Sequence, residues 1–322
     1  MQEQIIEQKT QTSISEFSSK PSLRTRLFKP KGTDLIPPFY LWTGLILLAV
    51  FTLSPFIYLF TSSISSTSEL ISGHLIPHSP TLENYRKLLT GSGASDFLAA
   101  LKNSTVVGIG TTFFTLFLGV FAAYAFSKVQ FPFRNSALFT VLAMQLLPSI
   151  SIIVPLYIMM RDGITVNIPF TNIVIFHTVP LLDTTWALII SYTTFSLPFA
   201  IWILSGYFET IPKAIEEAAY IDGCSRMGSF FKIILPLAMP GIATTAIFTL
   251  LLAWDEFMFA SAFSQTFASK TLPIVIREFI GKHSIDWGLM TAGGFIASFP
   301  PVLISLFFYR YIIGGLSGGV KE

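Results

Sequence analysis

The sequence predicts an all-α polytopic membrane protein with six transmembrane helices. Three observations carry this. Of 322 residues, 52% are hydrophobic and only 12% charged, including 32 Phe, whereas soluble domains carry about 25% charge. Apolar runs long enough for the roughly 20 helical residues of a membrane crossing recur along the chain. The basic residues are also distributed unevenly: with six spans and both termini inside, 13 of the 20 Lys and Arg fall on the proposed cytoplasmic segments and 7 on the outer segments and span ends, as the positive-inside rule requires.

Residues 1–36 are mostly polar and read as an N-terminal cytoplasmic extension, with Arg24, Arg26, Lys29 and Lys31 as inside flanks. No cleavable signal peptide is visible, because the first long apolar run lies too deep. The remainder, 37–322, reads as one transmembrane domain. The first span is Pro38–Phe60, with Trp42 and Tyr58 near its ends. Residues 61–96 are polar and turn-rich; His74 and His78 there read as exposed loop residues, because no third ligand is spaced with them. The second span is Ala99–Ser127. A Phe-Pro-Phe turn between Lys128 and Arg134, free of acids, reads as an inside loop. The third span, Ser136–Met160, is interrupted by Gln145, Pro148 and Pro155, which marks either a kinked packing helix or a kink lining a pathway. Gly163–Leu182 is uncharged but holds Pro169, Pro180, Asn167, Asn172 and His177; it reads as an outer loop or interfacial segment, since a further crossing would invert everything after it. The fourth span is Thr185–Tyr207, the fifth Gly241–Phe263. Residues 264–286 form an outer loop, and the sixth span is Trp287–Ile312.

The longest polar interruption of the second half is Glu209–Pro240. It holds Lys213, Arg226 and Lys232 with Glu209, Glu216, Glu217 and Asp222. Pro212 suits a first helical turn. Lys213–Ile221 is a helix former with Ala214, Ala218 and Ile221 on one apolar face, and Asp222-Gly223 is a turn signal. Ser225–Leu235 forms a second helix, with Met227, Phe230, Phe231 and Ile234 as its apolar face, until Pro236 and Pro240 limit it.

Several chemistries are excluded or unsupported. There is no GxxxxGK[ST] run, HExxH or GxSxG, so no phosphate-binding loop, zinc protease site or serine elbow is encoded. The single Cys224 excludes an internal disulfide and a cysteine-based metal cluster within the chain. No catalytic set and no metal site is expected.

The loop carries a spaced pattern: Glu217-Ala218-Ala219, three residues, Gly223, nine residues, Ile233, one residue, Leu235-Pro236. This resembles the EAA loop of permease subunits of binding-protein-dependent ABC importers. Asp222-Gly223, Trp254-Asp255-Glu256-Phe257 and the tail Gly315–Lys321 resemble the carbohydrate branch, in particular the maltose-type second permease; the family word carries Asn where this chain has Asp255. Gly163–Leu182 is an insertion relative to that pattern.

The resemblance implies a type I ABC importer permease fold in a prokaryotic cytoplasmic (inner) membrane, with both termini cytoplasmic. It implies four kinds of partner: a second homologous permease, two ATPase subunits, an extracytoplasmic solute-binding protein, and a sugar or polyol substrate moved inward by alternating access. No cofactor is expected in this chain, ATP and Mg²⁺ being held by the ATPase partners. The loop 209–236 then docks on an ATPase subunit through Glu217, Ala218, Ala219, Asp222, Gly223, Ile233, Leu235 and Pro236. The plainer alternative is that Ala218, Ala219 and Gly223 only pack the loop against itself. Asp255 and Glu256 are candidate pathway or gate residues; the alternative is hydrogen bonding between helices. Two other functions stay open: a structural or regulatory membrane subunit that keeps the docking loop, and a self-contained secondary transporter, which the lack of an internal repeat and of a coupling-ion set disfavours.

Overall fold

The computed structural model describes residues 38–91, 94–163, 165–167, 174–281 and 285–317. The N-terminal extension, Pro169, Asn172, Gly318 and Gly319 lie outside them. The chain divides into two units at Ile57/Tyr58. Helix α1, Pro38–Ser63, crosses that boundary. By itself α1 is an uninterrupted apolar rod, with exposed side chains along Phe39, Phe51 and Ile57 and with Pro55 accommodated inside it.

The second unit continues with α2 (Thr67–Ile71), α3 (Glu83–Thr90) and α4 (Ala94–Lys128). Then follow α5 (Arg134–Ala143), a 3₁₀ turn at Met144–Leu146 and α6 (Ser149–Asp162). Helix α7 spans Thr185–Thr210. The loop contributes α8 (Lys213–Ile221), α9 (Arg226–Ser229), a π turn at Phe230–Ile234 and α10 (Leu235–Leu237). Helices α11 (Met239–Trp254), α12 (Met258–Phe263), α13 (Leu272–Glu278) and α14 (Trp287–Ser317) complete the order.

Among the described residues, four helices are long and apolar enough to cross a membrane, and up to six if each bent pair counts as one span. The third expected span is therefore not a continuous rod. It turns by 92° between α5 and α6. Pro148 forces its predecessor out of the helical region, and Leu147 accordingly lies at φ −70°, ψ 124°. The fifth expected span is also corrected. It ends as a helix at Trp254 and resumes at Met258, so Asp255 and Glu256 occupy a break rather than the inside of a helix.

Helices α4 and α7 form the most extensive pair; α11 packs on both, and α14 on α11. Close approach is set by small residues. A Cβ at Gly241 would overlap the Tyr207 ring, which holds the start of α11 against α7. Within Gly163–Leu182 the described residues form no helix. They give an antiparallel ribbon, β1 (Thr165–Asn167) with β2 (Val174–His177), bulged between Val166 and Asn167. The His74 and His78 rings lie against each other at a tilt of 58° with centroids 4.8 Å apart, and His74 Nδ1 lies 2.8 Å from Ser72 Oγ.

Beyond the ribbon the chain is pinned by Asp183, itself in the left-handed region at φ 60°. Its carboxylate accepts from the Gln265 and Thr266 N–H groups (2.8 and 2.9 Å) and from the Thr266 and Ser269 hydroxyls (2.6 and 2.7 Å). Partial burial pushes this carboxyl up, and those donors outweigh it, so its pKa lies below the ordinary carboxylate value. Asn103 joins the same loop to α4, donating to the Phe267 and Lys270 carbonyls at 3.0 Å each.

Candidate functional site

Two constructions stand out: the loop between α7 and α11, and a cavity where two helices break.

The loop turn is specified locally. Helix α8 ends with the Cys224 N–H donating to the Ala219 carbonyl (2.9 Å) and the Gly223 N–H to the Tyr220 carbonyl (3.1 Å). This paired closure needs a left-handed residue after the cap, and Gly223 supplies it at φ 84°. Ser225 then caps α9, its hydroxyl accepting from the Gly228 N–H at 3.1 Å. Ala238 bends the chain by 70° into α11, with Pro240 in the first turn of that helix.

The motif residues divide between two faces. Ala219 is buried, and Ile233 and Leu235 are partly so. Glu217, Ala218, Asp222, Gly223 and Pro236 are exposed. The expected apolar face of α8, Ala214-Ala218-Ile221, points away from the helices, with Ile221 86% exposed. Met227 and Phe231 are exposed as well, while Phe230 and Ile234 are buried with Val120, Phe208 and Ile211. The loop thus has an inner anchor and an outer surface of apolar side chains beside Glu217 and Asp222.

The inner anchor includes residues that the sequence reading did not assign a role. Glu216 is 7% exposed. Its Oε1 accepts from the Tyr124 hydroxyl on α4 (2.6 Å) and from the Tyr220 hydroxyl (3.2 Å). Lys128 Nζ donates to the Ile211 carbonyl at 2.6 Å, and Arg134 pairs with Glu209 at 2.8 Å. The i,i+4 spacing of Glu216 and Tyr220 was a local signal. Tyr124 gave none, being 92 residues away.

The second construction is a cavity of about 490 Å³. Gln145, Leu147 and Ser149 come from the α5–α6 break. Tyr192, Phe195, Ser196 and Phe199 come from α7, and Glu256, Met258 and Phe259 from the α11–α12 break. Irregular backbone at membrane depth is tolerated where it lines a cavity or is buried in protein. Glu256 accepts from the Phe259 and Ala260 N–H groups at 2.9 and 3.2 Å, serving the free donors that begin α12. Asp255 is exposed at the end of α11 and is not part of the cavity lining. The two acids, adjacent in sequence, therefore have different surroundings. Among the described residues no group of three or more His, Cys, Asp or Glu is placed to hold a metal ion.

Comparison with known proteins agrees with this architecture. The family model described as "Binding-protein-dependent transport system inner membrane component" matches residues 115–317. The trehalose transport system permease protein SugB of Mycobacterium tuberculosis is 34% identical, over 87% of this chain and 97% of that protein. The trehalose/maltose transport system permease protein MalG of Thermococcus litoralis is 33% identical, over 90% and 98%. The sulfoquinovosyl glycerol transport system permease protein SmoH of Agrobacterium fabrum is 32% identical, over 85% and 91%. The fold is also that of a chain in the crystal structure of a bacterial ABC transporter involved in the import of alginate. That match has a TM-score of 0.68 at 21% identity, covering 88% of this chain and 99% of that one.

Proposed function

The chain belongs to the family of binding-protein-dependent transport system inner membrane components, and we propose that it is the permease subunit of an ATP-driven importer that moves a neutral sugar or related polyol inward. The observation that carries the reading is the two-faced loop. Its inner face is fastened to α4 and α7, and its outer face presents Glu217, Ala218, Asp222 and Ile221. An apolar knob that is 86% exposed on a short rigid helix fits a groove on another protein better than it fits water. In this reading the occupied groove belongs to an ATPase subunit, which also holds the nucleotide and Mg²⁺. A second permease, a second ATPase and an extracytoplasmic binding protein complete the complex. The loop and both termini then lie on the cytoplasmic side.

The cavity at the two breaks is the solute path on this subunit. Its aromatic faces, Tyr192, Phe195 and Phe199, together with Gln145, Ser196 and Glu256, suit the apolar faces and hydroxyls of a sugar ring. One carboxylate with no cation in the lining disfavours an anionic solute. The trehalose and maltose named for two relatives support the same class. The alternative of a regulatory subunit without a path is disfavoured by a cavity built at two helix breaks.

The test is gentle-detergent purification of the tagged chain from its native membrane. Recovery of an ATPase subunit, a second permease and a solute-binding protein is expected, and the binding protein is then screened against neutral and anionic sugars. Recovery of this chain alone, from membranes where it is abundant, would refute the reading.

A further inference from the structure

The buried carboxylate of Glu216 has no part in an outward docking surface, yet it is the most completely engaged acid of the loop. Both donors, the Tyr124 and Tyr220 hydroxyls, converge on one oxygen at 2.6 and 3.2 Å. The Tyr124 ring is itself wedged against Phe230 (centroids 4.6 Å) and Phe208 (6.1 Å). One helical turn further along α4, Lys128 Nζ holds the Ile211 carbonyl at 2.6 Å. Residues four apart share a helix face. One face of the last turn of α4 therefore grips both the entry to the loop and its first helix. Helix α4 is also the main packing partner of α7 and packs on α11, and these two helices line the cavity.

We propose that Tyr124 and Glu216 are positioning residues that make the loop and α4 move as one, so that displacement of the loop reaches the cavity-lining helices. The inference rests on the reading of the loop as an ATPase-docking element. A hydrogen bond to a charged acceptor is strong, and a buried carboxylate that loses its donor is left underpaired. The tie therefore resists separation better than the apolar contacts around it, which can slide.

The experiment uses the complete complex in proteoliposomes, with ATP hydrolysis and solute uptake measured on the same vesicles. Tyr124→Phe keeps the ring and removes only the hydroxyl. We expect it to assemble and hydrolyse ATP within about twofold of the parent while solute moved per ATP falls roughly tenfold, the scale set by losing one charge-assisted hydrogen bond. Glu216→Leu should behave alike, and adding Tyr124→Phe to it should cost little more, because both act through one contact. Glu216→Gln should retain most coupling, since its amide oxygen can accept from both phenols. Unchanged solute per ATP in Tyr124→Phe and Glu216→Leu would overturn the proposal, and so would equal losses of hydrolysis and uptake, which assign the pair to assembly alone. Should Tyr124→Phe not assemble, Glu216→Leu carries the test, because it removes the same contact between α4 and the loop, and an unchanged ratio there overturns the proposal. Absence of any ATPase subunit from the parent preparation would instead refute the docking reading beneath the proposal.

Discussion

The loop after α7 and the cavity beside α7 share a helix but are specified in opposite ways. The turn of the loop is made by neighbours in sequence: Cys224 to Ala219, Gly223 to Tyr220 and Ser225 to Gly228. The cavity is made by residues far apart in sequence, Gln145–Ser149, Tyr192–Phe199 and Leu252–Phe259; Gln145, Pro148 and Glu256 each mark an interruption, but nothing in any one stretch says that the three meet. A stretch that folds by local hydrogen bonds advertises itself as a spaced motif. A site that needs two helices to break at the same place does not.

The comparison is broken most severely at the points of closest constraint. Gly223→Val should have the largest effect on function. Its Cβ would meet open space, so the harm is purely conformational, roughly 1–2 kcal/mol for forcing a branched residue to positive φ. The expected outcome is normal membrane insertion with uptake reduced about tenfold or more, read by transport assay and membrane fractionation. Normal uptake would mean that the turn geometry is dispensable.

Next is Glu256→Ala at the cavity. It removes the acceptor for the Phe259 and Ala260 N–H groups, a loss on the scale of a helix cap, about 0.5–2 kcal/mol. Uptake should fall with ATPase recovery in the pull-down unchanged, whereas an Ile221→Asp change at the docking face should lower ATPase recovery and uptake together. Asp255→Asn, one residue away but outside the cavity lining, should alter uptake less than Glu256→Ala. Equal effects would sharpen the comparison by showing that the break matters as a unit.

The smallest effect concerns pH. Asp183 has a pKa held below its ordinary value in the folded protein. Its stabilisation of the 264–271 segment is therefore present above the unfolded carboxylate pKa and lost as pH falls through the lower folded value. The protection factors of the Gln265 and Thr266 amides, corrected for intrinsic exchange, should fall only in that acidic window, and in Asp183→Asn that fall should be absent.

These cases also show what the chain discloses before it folds. The helix-turn-helix of the loop and its turn at Gly223 were readable from periodicity and turn residues, whereas the apolar face read at Ala214, Ala218 and Ile221 turns out to point away from the helices. Pro148 was visible as an interruption, but whether it kinks or breaks a helix depends on what receives the freed backbone, and here the chain turns by 92° beside a cavity. Asp255 and Glu256 read as a pair within one span, whereas the helix stops between Trp254 and Met258 and gives them different surroundings. The tie from Tyr124 to Glu216 spans 92 residues and has no local signature. What was legible was therefore whatever a single segment decides alone.

The most direct test of a docking loop set against a solute cavity is a photo-crosslinking amino acid placed in turn at Ile221 and at Met258, in membranes that contain the whole complex. Capture of the ATPase subunit from Ile221 and not from Met258 is the expected result. Capture of the ATPase from Met258, or capture from Ile221 only of other parts of this chain, would contradict the assignment of the two sites.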